Sequence, residues 1–200
     1  MVLRRLGSSQ PSVQAQYTAL SLNAQGHLVR AMIGGVLCGG LGLRLGWTLA
    51  LPVWVLLGAV GTLLADIDWR TLQLPGAIVR PCLLLTAAWI IAASLLTGDW
   101  AGLQRAATGW AAGGALFGLT WLASPRSLGY GDVRLAALLG MSLTWLDAAA
   151  PLPGLFLALV LAAVTGLSLR ATHHLNRDQP IPLGPFLLAG AVAAAHLHPA

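Results

Sequence analysis

Two charged residue types are missing from this 200-residue chain, which contains no Lys and no Glu. Its acidic groups are six aspartates, its basic groups eleven arginines, and only 8% of residues are charged, against about 25% in an ordinary soluble domain. Any acid chemistry must therefore come from Asp side chains. A zinc protease of the HExxH type is excluded, because that motif requires Glu. Cysteine is scarce as well. Cys38 and Cys82 fall in separate apolar stretches with no CxxC pair, so neither a disulfide framework nor a zinc site is indicated. His173 and His174 are adjacent, which keeps them off a common helix face, and they read as loop residues. No metal and no organic cofactor is expected.

What the chain has in abundance is apolar sequence: 57% of its residues are hydrophobic and its mean hydropathy is +0.78. A transmembrane helix needs about 20 mostly apolar residues. Four uncharged segments reach that length: Trp47 to Ala65, Pro81 to Gly98, Ala106 to Pro125 and Ala148 to Leu169. A fifth, Pro180 to Ala195, is slightly shorter, with Pro182 and Pro185 suited to a helix entry. Ala31 to Leu43 and Leu135 to Leu146 are bounded by charge and span only if Arg30, Arg44 and Arg134 snorkel. The expected fold is all-α: a polytopic membrane protein of about seven transmembrane helices. Residues 1–27, polar after Arg4 and Arg5, read as a cytoplasmic tail, and residues 28–200 as one membrane domain.

Arginine placement orients the bundle. With the amino terminus in the cytoplasm, Arg4, Arg5, Arg30, Arg70, Arg80, Arg126, Arg134, Arg170 and Arg177 lie inside, leaving Arg44 and Arg105 outside. Trp47, Trp69, Trp100, Trp121 and Trp145 sit near segment ends, where an interfacial belt belongs. The net charge of +5 is spread between apolar segments instead of clustered, so it reads as loop charge and no nucleic-acid partner is expected.

In this orientation Asp99 and Asp147 are outside, whereas Asp66, Asp68, Asp132 and Asp178 are on the cytoplasmic side. Asp178, beside Arg177 in a polar stretch, reads as a solvated loop carboxylate. Asp66 and Asp68 close the first long span, and Asp132 stands just before the Leu135 helix. Boundary carboxylates often do no more than solvate helix ends. Here the surroundings suggest chemistry. In Gly129-Tyr130-Gly131-Asp132 the glycines remove side-chain bulk, letting a backbone come close to the acid. After Asp68, Pro75 ends any regular helix, so an irregular re-entry between them would form a cleft at the interface. Two carboxylates brought close in a low-dielectric site share one proton, and one can then act as base and the other as acid.

Three ordered blocks, Ile67 to Pro75 (IDWRTLQLP), Gly129 to Gly140 (GYGDVRLAALLG) and Ile181 to Ala191 (IPLGPFLLAGA), resemble the type IV prepilin leader peptidases, GxGD-type membrane aspartyl proteases. The resemblance implies Asp68 and Asp132 as the catalytic aspartates, with Pro75, Gly129, Gly131 and Arg134 shaping or flanking the cleft. It also implies prepilin or pseudopilin precursors as partners, cleaved on the cytoplasmic side of the bacterial inner membrane, with no cofactor. Asp66 has no counterpart role. The family's zinc-binding cysteine pairs and glycine-rich first segment are absent, as in a short form, so methyltransferase activity is not assigned. Gly76 stands where the family commonly has Asn or Asp, and Arg134 where it commonly has Lys.

Three other readings compete. Gly166-Leu167-Ser168-Leu169 loosely fits a serine-protease motif, but Ser168 and His196 fall at opposite membrane faces. A proton-coupled transporter would carry its acids near the midplane, and the spans here hold none. An inactive scaffold of a pilus or secretion assembly would not need both aspartates.

Overall fold

The computed structural model describes residues 32, 35, 36, 39–125, 128–172 and 181–198, and among them all regular structure is helical. Six helices follow in order: α1 (Leu51–Thr71), α2 (Gly76–Thr97), α3 (Trp100–Ala123), α4 (Tyr130–Leu146), α5 (Pro151–Ala171) and α6 (Gly184–Leu197). Helical residues at 39–45 precede them, and there Arg44 donates to the carbonyl of His196 at 3.0 Å. The expectations for residues 1–31, Cys38, Arg126, His173, His174, Arg177 and Asp178 lie outside the described residues.

The helix ends correct several expected boundaries. Apolar sequence gives out at Ala65, but α1 runs on to Thr71, so Asp66 and Asp68 lie within its last turns instead of closing it. Local bonds carry the extension: Arg70 pairs with Asp66 at 3.0 Å, and the Thr71 hydroxyl donates to the carbonyl of Ile67 at 2.7 Å. Leu72 then enters the left-handed region at φ 53°, and its N–H closes on the Asp68 carbonyl at 2.8 Å. The irregular re-entry expected between Asp68 and Pro75 is therefore shortened to an elbow after Thr71, with Pro75 in extended conformation as the N-cap of α2. Pro81, expected to open the second span, lies inside α2 instead. An early proline forfeits one backbone bond, a loss that packed membrane helices tolerate. Likewise α3 begins at Trp100 and takes in Arg105, because Asp99 caps it by accepting from Gly102 N–H at 2.8 Å. The fourth helix begins at Tyr130, which puts Asp132 in its first turn and not ahead of it.

Three helices, α1, α2 and α5, are long and apolar enough to cross a membrane. At about 1.5 Å per residue each reaches the ~30 Å hydrocarbon thickness. Burial separates the helices sharply. In α4, 11 of 17 residues are buried, whereas α5 buries only Gly154, Ala158 and Gly166. Outward, α5 presents Leu152, Phe156, Val164 and Leu167, and α2 presents Leu84, Leu85, Leu95 and Leu96. Apolar faces on that scale suit lipid and not water. The chain is a helical membrane protein with α4 at its centre.

Close helix crossings place α4. A β-carbon on Gly109 would strike the Gly140 carbonyl and the Thr144 side chain, and one on Gly113 would strike the carbonyl of Ala136. These glycines let α3 and α4 meet backbone to backbone. Gly154 and Gly190 do the same for the antiparallel pair α5 and α6.

Candidate active site

Asp68 comes from the last turns of α1 and Asp132 from the first turn of α4, at the same end of the bundle, and they are only 3% and 9% exposed. Each carboxylate is held by one backbone N–H: Gly184, at the start of α6, donates to Asp68 Oδ2 at 2.9 Å, and Gly129 donates to Asp132 Oδ2 at 3.2 Å. Asp132 Oδ1 is buried and accepts no hydrogen bond. Among the described residues no ion pair forms to either acid. Leu74 adjoins both Gly131, next to Asp132, and Gly184, which holds Asp68, so the two acids belong to one site.

Leu74 joins their surroundings. A β-carbon on Gly131 would come within 2.5 Å of Leu74 Cβ and 2.9 Å of its carbonyl oxygen; one on Gly184 would come within 2.7 Å of Asp68 Oδ2 and 3.4 Å of Leu74 Cδ1. The elbow thus wedges Leu74 between the first turn of α4, which carries Asp132, and the glycine that holds Asp68. The sequence suggested that the glycines admit a neighbouring backbone; the neighbour at Gly131 is the chain's own Leu74. Gly129 is less crowded, and a β-carbon there would lie 3.1 Å from Asp132 Oδ2. Trp69 packs edge-on against Phe186 with ring centroids 6.1 Å apart, fastening α1 to α6 beside the Asp68–Gly184 bond.

Arg134 is not in contact with either acid by hydrogen bond or ion pair. Its guanidinium lies over the Tyr130 ring, 4.4 Å from the centroid, and Tyr130 packs against Trp121 at 5.2 Å. Gly76 faces this guanidinium, since a β-carbon there would lie 2.7 Å from Arg134 Nη1. The serine-protease alternative gains nothing, because the Ser168 hydroxyl is turned onto its own helix at Thr165 and His196 Nδ1 lies 2.8 Å from its own helix's Val192 carbonyl. Among the described residues no three His, Cys, Asp or Glu side chains converge as a metal site.

Sequence reasoning passed over Gly184 and Leu74. Both lay within the blocks that carried the resemblance, IPLGP and LQLP. Their roles were hidden because one acts through a backbone N–H and the other through packing.

Fold and site together define a helical membrane protein that buries two aspartates from different helices at one end of its bundle. Comparison with known proteins sharpens that class: the type IV leader peptidase family matches residues 54–169, and the chain belongs to that family. A prepilin leader peptidase/N-methyltransferase of Burkholderia pseudomallei is 34% identical over 65% of this chain and 41% of its own length. Proteins of the same name from Aeromonas salmonicida and Dickeya chrysanthemi are 34% and 33% identical, over 74% and 78% of this chain and 50% and 56% of theirs. The chain spans about half the length of the curated relatives it matches. No solved structure matches it.

Proposed function

We propose that this chain is a membrane aspartyl endopeptidase that removes the leader peptide of prepilin-like or pseudopilin precursors at the cytoplasmic face of the bacterial inner membrane. Asp68 and Asp132 are its catalytic pair, and residues 28–200 act as one membrane peptidase unit. The observation that carries this reading is that the two acids the resemblance points to are both buried, share Leu74 as a neighbour of their surroundings, and are each tied by a single backbone N–H, with no ion pair to either among the described residues. A purely structural carboxylate in so buried a place ordinarily has a cationic partner or a fuller set of hydrogen bonds.

The chemistry follows from two adjacent carboxyl groups. The ionised member takes a proton from water as its oxygen attacks the scissile carbonyl carbon, and the protonated member donates to the carbonyl oxygen. Collapse of the tetrahedral intermediate breaks the C–N bond, and the departing amine takes up a proton. Gly131 and Pro75 set the elbow that separates the acids from the interface, Gly129 orients Asp132, and Arg134, held over Tyr130, flanks the entrance. Arginine placement supports the orientation, with Asp68 and Asp132 facing the cytoplasm.

The test is cleavage of a panel of prepilin-like substrates by membranes carrying wild type, Asp68→Asn or Asp132→Asn. Asn preserves shape and cannot exchange the proton. Cleavage lost in both variants at undiminished protein level supports the pair; cleavage retained in either one overturns it.

A further inference from the structure

A second polar site lies at the opposite end of the bundle, where the start of α1, the end of α2, the start of α3 and the end of α4 line an open cavity of about 370 Å³. Its walls are of two kinds. Leu49, Ala50, Ala93 and Leu146 line it with apolar surface, while Thr48, Ser94, Asp99 and Arg105 bring polar groups to it. Arg105 Nη2 stands 3.8 Å from Asp99 Oδ2, a loose pair with both side chains partly exposed. Asp99 Oδ1 is used in capping α3, and Oδ2, held by Arg105 only across that loose 3.8 Å contact, is the oxygen that can take a further cation.

The hydroxyls are the telling feature. Ser94 is 1% exposed, and its Oγ has no hydrogen-bond partner; Thr48 Oγ1 is buried and unpartnered as well. A helical Ser or Thr ordinarily satisfies itself on the preceding turn, as Thr97 does at Ala93 and Ser142 at Leu138. Ser94 does not, and a buried hydroxyl without a partner is costly. Two hydroxyl donors and a guanidinium together suit an anion with several acceptor oxygens, and Asp99 Oδ2 suits an ammonium beside it. Depth narrows the source. Trp145 lines the cavity, Trp47 and Trp100 adjoin its lining residues, and Trp89 Nε1 donates to the carbonyl of Leu49 at 2.8 Å. Trp145, Trp47 and Trp100 lie at or next to helix ends, where indoles mark the headgroup zone of a bilayer.

We propose that this cavity binds a phosphoethanolamine group presented by a zwitterionic phospholipid. Arg105, Ser94 and Thr48 donate to the phosphate, and Asp99 accepts from the ammonium. The site ties together the ends of four helices and does not depend on the peptidase reading.

Native mass spectrometry of the full chain in neutral detergent tests it, offering phosphatidylethanolamine and phosphatidylcholine with identical acyl chains. The choline headgroup keeps the phosphate but has no N–H to donate. Wild type retains the ethanolamine lipid about tenfold better, as a charge-assisted hydrogen bond predicts. Asp99→Asn keeps the helix cap and abolishes that preference, while Ser94→Ala and Arg105→Gln weaken retention of both lipids. Soluble glycerophosphoethanolamine supplies the second arm: failure to displace the lipid fixes the source as a bilayer headgroup, and displacement keeps the chemistry but makes the ligand a soluble phosphodiester. Equal retention of the two lipids by wild type, or an undiminished preference in Asp99→Asn, overturns the proposal.

Discussion

The two ends of the bundle handle their carboxylates in opposite ways. At one end Asp68 and Asp132 are 3% and 9% exposed and are held by single backbone N–H groups. At the other, the Asp99 and Asp147 side chains are 47% and 39% exposed and are matched with Arg105 and His198. An exposed, paired carboxylate has its charge settled by solvent and partner, and serves to cap or to clip. A buried one with little support keeps its charge unsettled, which is costly for folding and useful for proton transfer. Asp66 shows the contrast within a single turn: two residues from Asp68, its side chain is 20% exposed and pairs with Arg70.

The largest expected effect separates the ends directly. Asp68→Asn or Asp132→Asn lowers cleavage roughly a thousandfold or more, in the range of a lost acid or base catalyst. Asp147→Asn leaves it within about twofold, as surface substitutions do. Turnover of one precursor peptide, normalised to folded protein, measures both. A comparable loss in Asp147→Asn would dissolve the distinction.

Next in size are the glycines. Gly131→Ala drives a methyl group into the β-carbon and carbonyl of Leu74, which costs about 1–3 kcal/mol of stability by overpacking and displaces the elbow beside Asp132. Trimming Leu74 to Ala does not rescue it, since both clashing atoms remain. Gly109→Ala overpacks the α3–α4 crossing instead, with a stability loss of about the same size and little change in turnover per folded molecule. Thermal midpoints and turnover measured together tell the two apart.

A smaller effect lies at Leu72, whose left-handed backbone at φ 53° is the one positive φ outside glycine among the described residues. Leu72→Gly relieves strain of about 1 kcal/mol but frees the unfolded chain by a similar amount. Stability stays within about 1 kcal/mol of wild type, while cleavage falls because the elbow carrying Leu74 loosens. Unchanged cleavage would mean that Leu74 alone, and not the turn before it, fixes the geometry.

Much of this arrangement was legible in the sequence. The absence of Lys and Glu reduced the acids to six candidates, and apolar length marked the long helices. Helix ends were the weak point, because hydropathy stops where charge begins while backbone hydrogen bonding does not. Asp68 and Asp132 consequently sat one turn inside their helices and not at the boundary. Gly184 escaped because its contribution is an N–H that every residue but proline possesses, and Leu74 because a wedge is defined only by what it touches. At the other end, no local pattern signals that Thr48, Ser94, Asp99 and Arg105 share a cavity, since three separate segments contribute them.

The smallest effect concerns Asp147. The N–H of Ala149 and then the contact with His198, 2.6 Å away, hold its carboxyl below the ordinary value of 3.8. A carboxylate depressed in the folded state contributes stability above its unfolded value and loses it as pH falls through the folded one. The difference in thermal midpoint between wild type and Asp147→Asn therefore shrinks as pH falls below about 4. Because the side chain is exposed, the difference is small and diminishes with added salt. His198→Ala retains most of the acid-side slope, since the Ala149 bond is the larger cause. A slope appearing only above neutral pH would contradict the assignment and place the titrating group elsewhere. If the slope instead vanishes in His198→Ala, the pairing governs and the backbone bond is incidental, which would make this end of the molecule a true ion-pair clip and widen its contrast with the buried acids.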